Sequence, residues 1–182
     1  MESKENNVLE LFFNEPTREW HFEEILKEAR IARSKALGWL RLFTKEDIIK
    51  RIKKKGKMPF YTANFISNNY RNLKMIFART KFYESGFLNH LQTLDNVKTV
   101  ILFGSFARSD WYKNSDIDIF IYGDPKNLKI APYEIKLNHN IQLFICKNSE
   151  ELEKYGAGLI RNIIKGDLIK GDIDFLRVEV NA

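Results

Sequence analysis

The chain has 182 residues, 44% of them hydrophobic and 13% aromatic, with 30 Lys and Arg against 24 Asp and Glu, a net charge of +6 and a sequence pI near 9.3. An apolar content at this level with only nine Gly and four Pro excludes a disordered, collagen-like or low-complexity chain. A single cysteine, Cys146, excludes an internal disulfide or a cysteine metal cluster, and no apolar run approaches the roughly 18 residues that span a bilayer. The polar opening Met1–Asn7 is unlike a secretory signal, so a soluble cytoplasmic protein with no membrane partner is expected.

Val8, Leu9, Leu11, Phe12 and Phe13 predict a short apolar helix that stops near Asn14-Glu15-Pro16, because proline disfavours helical geometry in the residue before it. Phe22, Ile25, Leu26 and Ala29 then recur at helical spacing with Glu23, Glu24, Lys27 and Glu28 outside. A third helix is expected over Arg33 to Phe43, with Ala36, Leu37, Leu40 and Phe43 inward and Ser34, Lys35, Gly38 and Arg41 outward. Ile48 to Phe65 reads as two β-rich arms around a Lys/Gly tip, a basic hairpin. The charge is concentrated here: residues 31–81 carry 14 Lys and Arg against two acids, or +12, whereas residues 1–30 carry −4 and residues 82–182 carry −2. Such a block is either a solvated face or a surface that meets a polyanion.

Three short helices followed by a basic hairpin resemble the winged helix-turn-helix domains of prokaryotic regulators, over about residues 8–66. In that family the third helix enters the major groove and the wing touches phosphates. The resemblance implies contact with double-stranded DNA through Arg33, Ser34, Lys35 and Arg41 on the helix and Lys53, Lys54, Lys55 and Lys57 on the wing. Winged helices also serve as protein-docking and dimerisation modules, so a partner protein or a homodimer is the competing expectation.

From Asn68 to Leu94, the residues Leu73, Ile76, Phe77, Tyr83, Phe87, Leu91 and Leu94 recur near a helical period, with Gly86 as a break. The expected organisation is a domain over residues 1–67, a helical connector over 68–94 and a second domain over 95–182. The whole is an α+β chain.

In the second half, Val97 to Phe103 is a β-branched apolar run that predicts a buried strand ending at Gly104-Ser105. Backbone N–H groups at such a junction favour phosphate, and glycine permits close approach, although the same dipeptide also makes ordinary turns. Eleven residues beyond Ser105 begins Asp116-Ile117-Asp118-Ile119. Strand alternation puts the carboxylates on one face and the isoleucines on the other. Two acids only about 7 Å apart repel unless a cation or strong donors lie between them, and a hard divalent ion suits them.

Phe103-Gly104-Ser105 followed at this spacing by Asp116-Ile117-Asp118-Ile119, with Ala107-Arg108 and Ser115, resembles the nucleotidyltransferase superfamily related to DNA polymerase β, and its minimal prokaryotic members in particular. The resemblance covers roughly residues 88–171. It implies a mixed sheet, a nucleoside triphosphate held by Gly104 and Ser105 with a contact from Arg108, and Mg²⁺ or Mn²⁺ on Asp116 and Asp118, the catalytic pair. It also implies a third carboxylate on a later strand, where this chain has Gln142 in Asn140-Ile141-Gln142-Leu143. Glutamine cannot take a proton from a hydroxyl at physiological pH. Glu134 substitutes only if a hairpin turning near Asn138-His139-Asn140 brings it alongside.

Three functions follow as expectations: magnesium-dependent nucleotidyl transfer to a hydroxyl, a nucleotide-responsive DNA-binding regulator with weak or lost catalysis, and an antitoxin acting on a separate toxin chain. Asn148 with Glu151 resembles a capping box, and Leu152, Tyr155, Leu159, Ile160, Ile163 and Ile164 form a helical stripe. Leu168–Gly171 reads as a closing strand. His21, His90 and His139 lack metal-ligand spacing and read as surface or capping residues. Trp20, Trp39 and Trp111 read as core or interface, Trp111 with the alternative of bordering a base.

Overall fold

In the computed structural model, which describes residues 4–174, the N-terminal residues form α1 (Lys4–Asn14), β1 (Trp20–His21), α2 (Phe22–Ala29) and α3 (Arg33–Lys45). The antiparallel strands β2 (Ile49–Ile52) and β3 (Phe60–Ala63) follow, with β1 on the other edge of β3. Local chemistry sets the helix boundaries. His21 is extended (φ −80°, ψ 151°) and its N–H donates to Glu24 Oε2 at 2.8 Å, which opens α2. Arg30 in the left-handed region (φ 53°) closes it.

Val8, Phe12, Phe13, Trp20, Ile25, Ala36, Leu40 and Phe43 are all buried, and each of the larger ones contributes about 1.5–3 kcal/mol by leaving water. Leu37, expected inward, is 39% exposed. The covered stripe of α3 is Ala36, Leu40 and Phe43, at i, i+4 and i+7.

The helical connector is α4 (Asn68–Glu84) and α5 (Phe87–Gln92), separated at Gly86, whose φ of +82° only glycine adopts without strain. The expected apolar stripe needs correction. Ile76 and Tyr83 are exposed, and the covered residues of α4 are Tyr70, Lys74, Phe77, Ala78 and Phe82. A helix with apolar residues on two sides does not reveal in sequence which side its neighbours will cover.

Two compact units result: residues up to Phe77 together with Ser109–Asn114, and Ala78–Arg108 together with the residues from Ser115 onward. The short segment Ser109–Asn114 is built into the first. Trp111 is buried beside Phe13, with ring centroids 6.2 Å apart, and Lys113 N–H donates to the Asn14 carbonyl at 3.0 Å. Trp111 is therefore a core residue of the first unit. Lys74, 2% exposed, donates from Nζ to the Phe13 carbonyl at 3.0 Å and to the Trp111 carbonyl, with the Trp111 ring 4.5 Å away. Burial pushes its amine down to about 8, against the attraction of Asp110.

In the second unit β4 (Val97–Phe103), β5 (Ile117–Gly123), β6 (Ile141–Cys146) and β7 (Asp167–Lys170) form a sheet in the order β6-β5-β4-β7. Among the described residues only the β5–β6 pair is parallel, so the sheet is mixed. Ile117, Ile119 and Ile121 are fully buried on one face. On the other, Phe120 joins Ile101, Phe103, Cys146 and Ile163, with Leu152, Tyr155, Leu159 and Ile160 packed against them.

Leu152 lies on α8 (Ser149–Leu152), Leu159 and Ile160 on α9 (Ala157–Ile164) and Tyr155 between them, so the C-terminal stripe is core except for Ile164, which is 46% exposed. Asn148 Oδ1 caps α8 by accepting from Glu151 N–H at 3.0 Å. Burial pushes the Cys146 thiol up. The tail from residue 175 lies outside the described residues. No described helix is long and apolar enough to cross a membrane.

The expected hairpin near Asn138–Asn140 does not form. Residues 131–137 are a helix, α7, with proline in its first turn, and it carries the chain over from β5 to a parallel β6. The length of the stretch between the two apolar strands, residues 124–140, is the signal for such a crossover, since a hairpin needs only a few residues.

Candidate functional site

The candidate site forms where β4 ends and β5 begins. Antiparallel pairing sets Phe103 opposite Asp118, so the chain leaving β4 turns directly beside that carboxylate. The turn is Gly104, at φ +71°, opening the short helix α6 (Gly104–Arg108). A Cβ built on Gly104 would overlap Asp118 Oδ2 and lie 2.8 Å from its Cγ. Asp118 thus fills the space that glycine leaves empty, and the glycine is required by both its dihedral angle and this close approach.

Phe106 seats α6 on the core, 4% exposed and 5.5 Å centroid to centroid from Phe82. Ser105 remains half-buried and Arg108 exposed.

Asp116 is exposed just ahead of β5, and Asp118 is half-buried within it. Burial raises the Asp118 carboxyl above the usual carboxylate range, the Asp116 charge adds to this, and Arg108 opposes it. An anion held against its neighbours in this way is what a cation relieves. The donor set fits one hard divalent ion with two protein carboxylates, the remaining ligands being water and phosphate oxygens. Among the described residues no group of three or more His, Cys, Asp and Glu could hold a metal by itself.

Gln142 stands directly beside Asp118 in the parallel register, and it is exposed. Glu134 does not stand on β6 beside Asp118. The Glu134 carboxylate lies on α7 and its Oε1 accepts from Ile141 N–H at 2.9 Å, at the start of β6. Two residues that the sequence reading gave no role at the site hold the segment that carries the aspartates. Asn140 Nδ2 donates to Asp116 Oδ1 at 3.3 Å, and His139 Nδ1 lies 2.8 Å from the Ser115 carbonyl. The available signal was that Asn140 and Gln142 stand two apart at the entrance to β6 as Asp116 and Asp118 do at the entrance to β5. His90 is structural, its Nε2 accepting from Lys129 N–H at 3.0 Å while its ring stacks on Tyr133.

The basic candidates form a separate group in the first unit. Arg33, Ser34, Lys35 and Arg41 are exposed on α3, and Lys53, Lys54, Lys55 and Lys57 are exposed between β2 and β3. Arg33 is paired with Glu23 at 2.7 Å and Lys54 with Glu19 at 3.1 Å. Exposed pairs of this kind are worth little, about 0–1 kcal/mol, so a phosphate could replace either acid.

Comparison with known proteins adds to this geometry. A protein of Methanocaldococcus jannaschii named "putative protein adenylyltransferase" is 50% identical over 73 residues, which are 38% of this chain and 73% of that protein. No solved structure matches. Residues 84–175 match the family of nucleotidyltransferase domains. That stretch contains the Gly104 turn, Asp118 packed against it and Asp116 two residues before, and the chain belongs to the nucleotidyltransferase domain family.

Proposed function

We propose that the second unit transfers a nucleoside monophosphate from a nucleoside triphosphate to a hydroxyl group, with Mg²⁺ or Mn²⁺ as cofactor. The observation that carries this reading is the convergence of the Asp118 carboxylate on the Gly104 turn, beside Asp116. Gly104 and Ser105 would hold the triphosphate, Arg108 would add a contact, and Asp116 and Asp118 would hold the ion. The bound ion supplies charge neutralisation at the reacting phosphates. The acceptor oxygen forms a bond to the α-phosphorus, the bond from that phosphorus to the bridging oxygen breaks, and pyrophosphate leaves. Gln142 cannot accept the hydroxyl proton, so it passes to water. The name of the M. jannaschii relative makes ATP and a protein hydroxyl the first donor and acceptor to try. An antitoxin that modifies a toxin chain is one form of that chemistry.

Incorporation of labelled nucleotide in the presence of Mg²⁺ tests the reading. Slow transfer is expected for the wild type, with Gln142→Asp raising the rate at least about 10-fold, the low end of what a positioned base supplies. Fast wild-type transfer abolished by Glu134→Ala would overturn the role given to Gln142, and no magnesium-dependent transfer by either protein would overturn the enzymatic reading.

A second reading is favoured by the exposed basic block: a winged-helix unit that binds DNA and responds to nucleotide. Neutralising Lys53, Lys54, Lys55 and Lys57 together should flatten the salt dependence of duplex binding by up to about 3.5 in log–log slope, while Asp116→Asn leaves it intact. Absence of duplex binding at low salt would remove this reading.

A further inference from the structure

The entrance to β6 carries amides where the entrance to β5 carries acids. The parallel register sets Gln142 beside Asp118, and at the entrance to the two strands Asn140 donates from Nδ2 to Asp116 Oδ1 at 3.3 Å. The Asn140 carbonyl also accepts from Ile117 N–H at 2.8 Å. His139 Nδ1 is 2.8 Å from the Ser115 carbonyl. A carbonyl can only accept, so Nδ1 carries the proton. The dipeptide His139-Asn140 thereby grips Ser115, Asp116 and Ile117 in succession. The grip is itself anchored: the His139 ring stands edge-on to Phe106 of α6, centroids 5.0 Å apart, and Ile141 N–H is held by Glu134.

We propose that Asn140 is a positioning residue for Asp116, with His139 as its support, and that together they select the carboxylate oxygen offered to a divalent cation. An exposed aspartate ahead of a strand otherwise spreads over several rotamers. A donor on Oδ1 restricts that spread and leaves Oδ2 for the cation, the arrangement by which outer hydrogen bonds tune metal ligands. This inference rests on reading Asp116 as a cation ligand, and it goes further by assigning a role to two residues of β6 and its approach.

The test is Mn²⁺ binding, followed by the paramagnetic resonance of free Mn²⁺, in the presence of a nonhydrolysable ATP analogue, with melting temperatures measured alongside. Asn140→Ala and Asn140→Leu should each weaken Mn²⁺ binding about 10-fold, the low end for loss of an outer partner. His139→Phe, which keeps the ring beside Phe106 but cannot donate, should weaken it by less, and His139→Asn, which restores a donor, should return it toward wild type. Mn²⁺ affinity within twofold of wild type in both Asn140 variants would overturn the inference while leaving Asp116 a ligand. A wild type that binds no Mn²⁺, or an Asp116→Asn variant that binds it equally well, would overturn the reading beneath it.

Discussion

Gly104→Ala is expected to weaken binding of a magnesium–triphosphate complex about 100-fold, since displacing a charged partner and straining the turn together cost about 3 kcal/mol. The reasoning is steric. An alanine methyl would occupy the position of Asp118 Oδ2, and the residue would keep a backbone φ of +71° that side chains rarely adopt. Either the turn moves away from β5 or the Asp118 carboxylate swings aside. Both separate the Gly104 turn from the carboxylate pair.

Titration calorimetry with a nonhydrolysable ATP analogue reads the binding loss. A double-mutant cycle identifies its origin: with Asp118→Gly as background, the stability cost of Gly104→Ala should shrink to the backbone strain alone, about 1–2 kcal/mol. Wild-type affinity in Gly104→Ala would show that the contact between turn and carboxylate is incidental to nucleotide binding.

The second large effect concerns Lys74. Its amine titrates near 8 in the folded protein and near 10.4 when unfolded. Between these values the unfolded chain holds a proton that the folded chain has released, so stability rises with pH across that interval and is flat below it. The full gain is about 3 kcal/mol at most. The neutral amine loses little structure, because its two N–H groups match the two acceptors, the Phe13 and Trp111 carbonyls.

Trp20, Trp39 and Trp111 are the three tryptophans of the chain and all lie in the first unit, so tryptophan fluorescence during urea unfolding reports on that unit. Wild type should gain stability from pH 8 to pH 10.5 relative to Lys74→Met, whose profile lacks this group. Parallel profiles for the two proteins would show that Lys74 stays charged in the folded core.

Features that depend on a few neighbouring residues were legible before the fold was known. The stop of α1 before Pro16, the break at Gly86, the Asn148 cap and the alternation that buries Ile117, Ile119 and Ile121 all follow from local dihedral and hydrogen-bond preferences. The pairing of the Gly-Ser turn with the Asp-x-Asp strand was legible only through its resemblance, at that spacing, to a known family. Features set by distant partners were not. The stripe expected on α4 included Ile76 and Tyr83, whereas the covered face includes Lys74, a residue whose burial makes sense only once two carbonyls and an aromatic ring surround its amine.

By itself, then, the sequence determined that this protein has a basic N-terminal part, a buried strand ending in a glycine turn, and two aspartates on one side of the next strand. Only the tertiary structure decided that Asp118 lies against Gly104, that Asn140 and Gln142 accompany the aspartates along β6, and that Trp111, between the two halves of the motif, belongs to the core of the first unit. The physical reason is range. Alternation and capping are written in covalent geometry over a few residues. Register, crossover and burial depend on which distant segment supplies the partner, and that is settled by packing the whole chain.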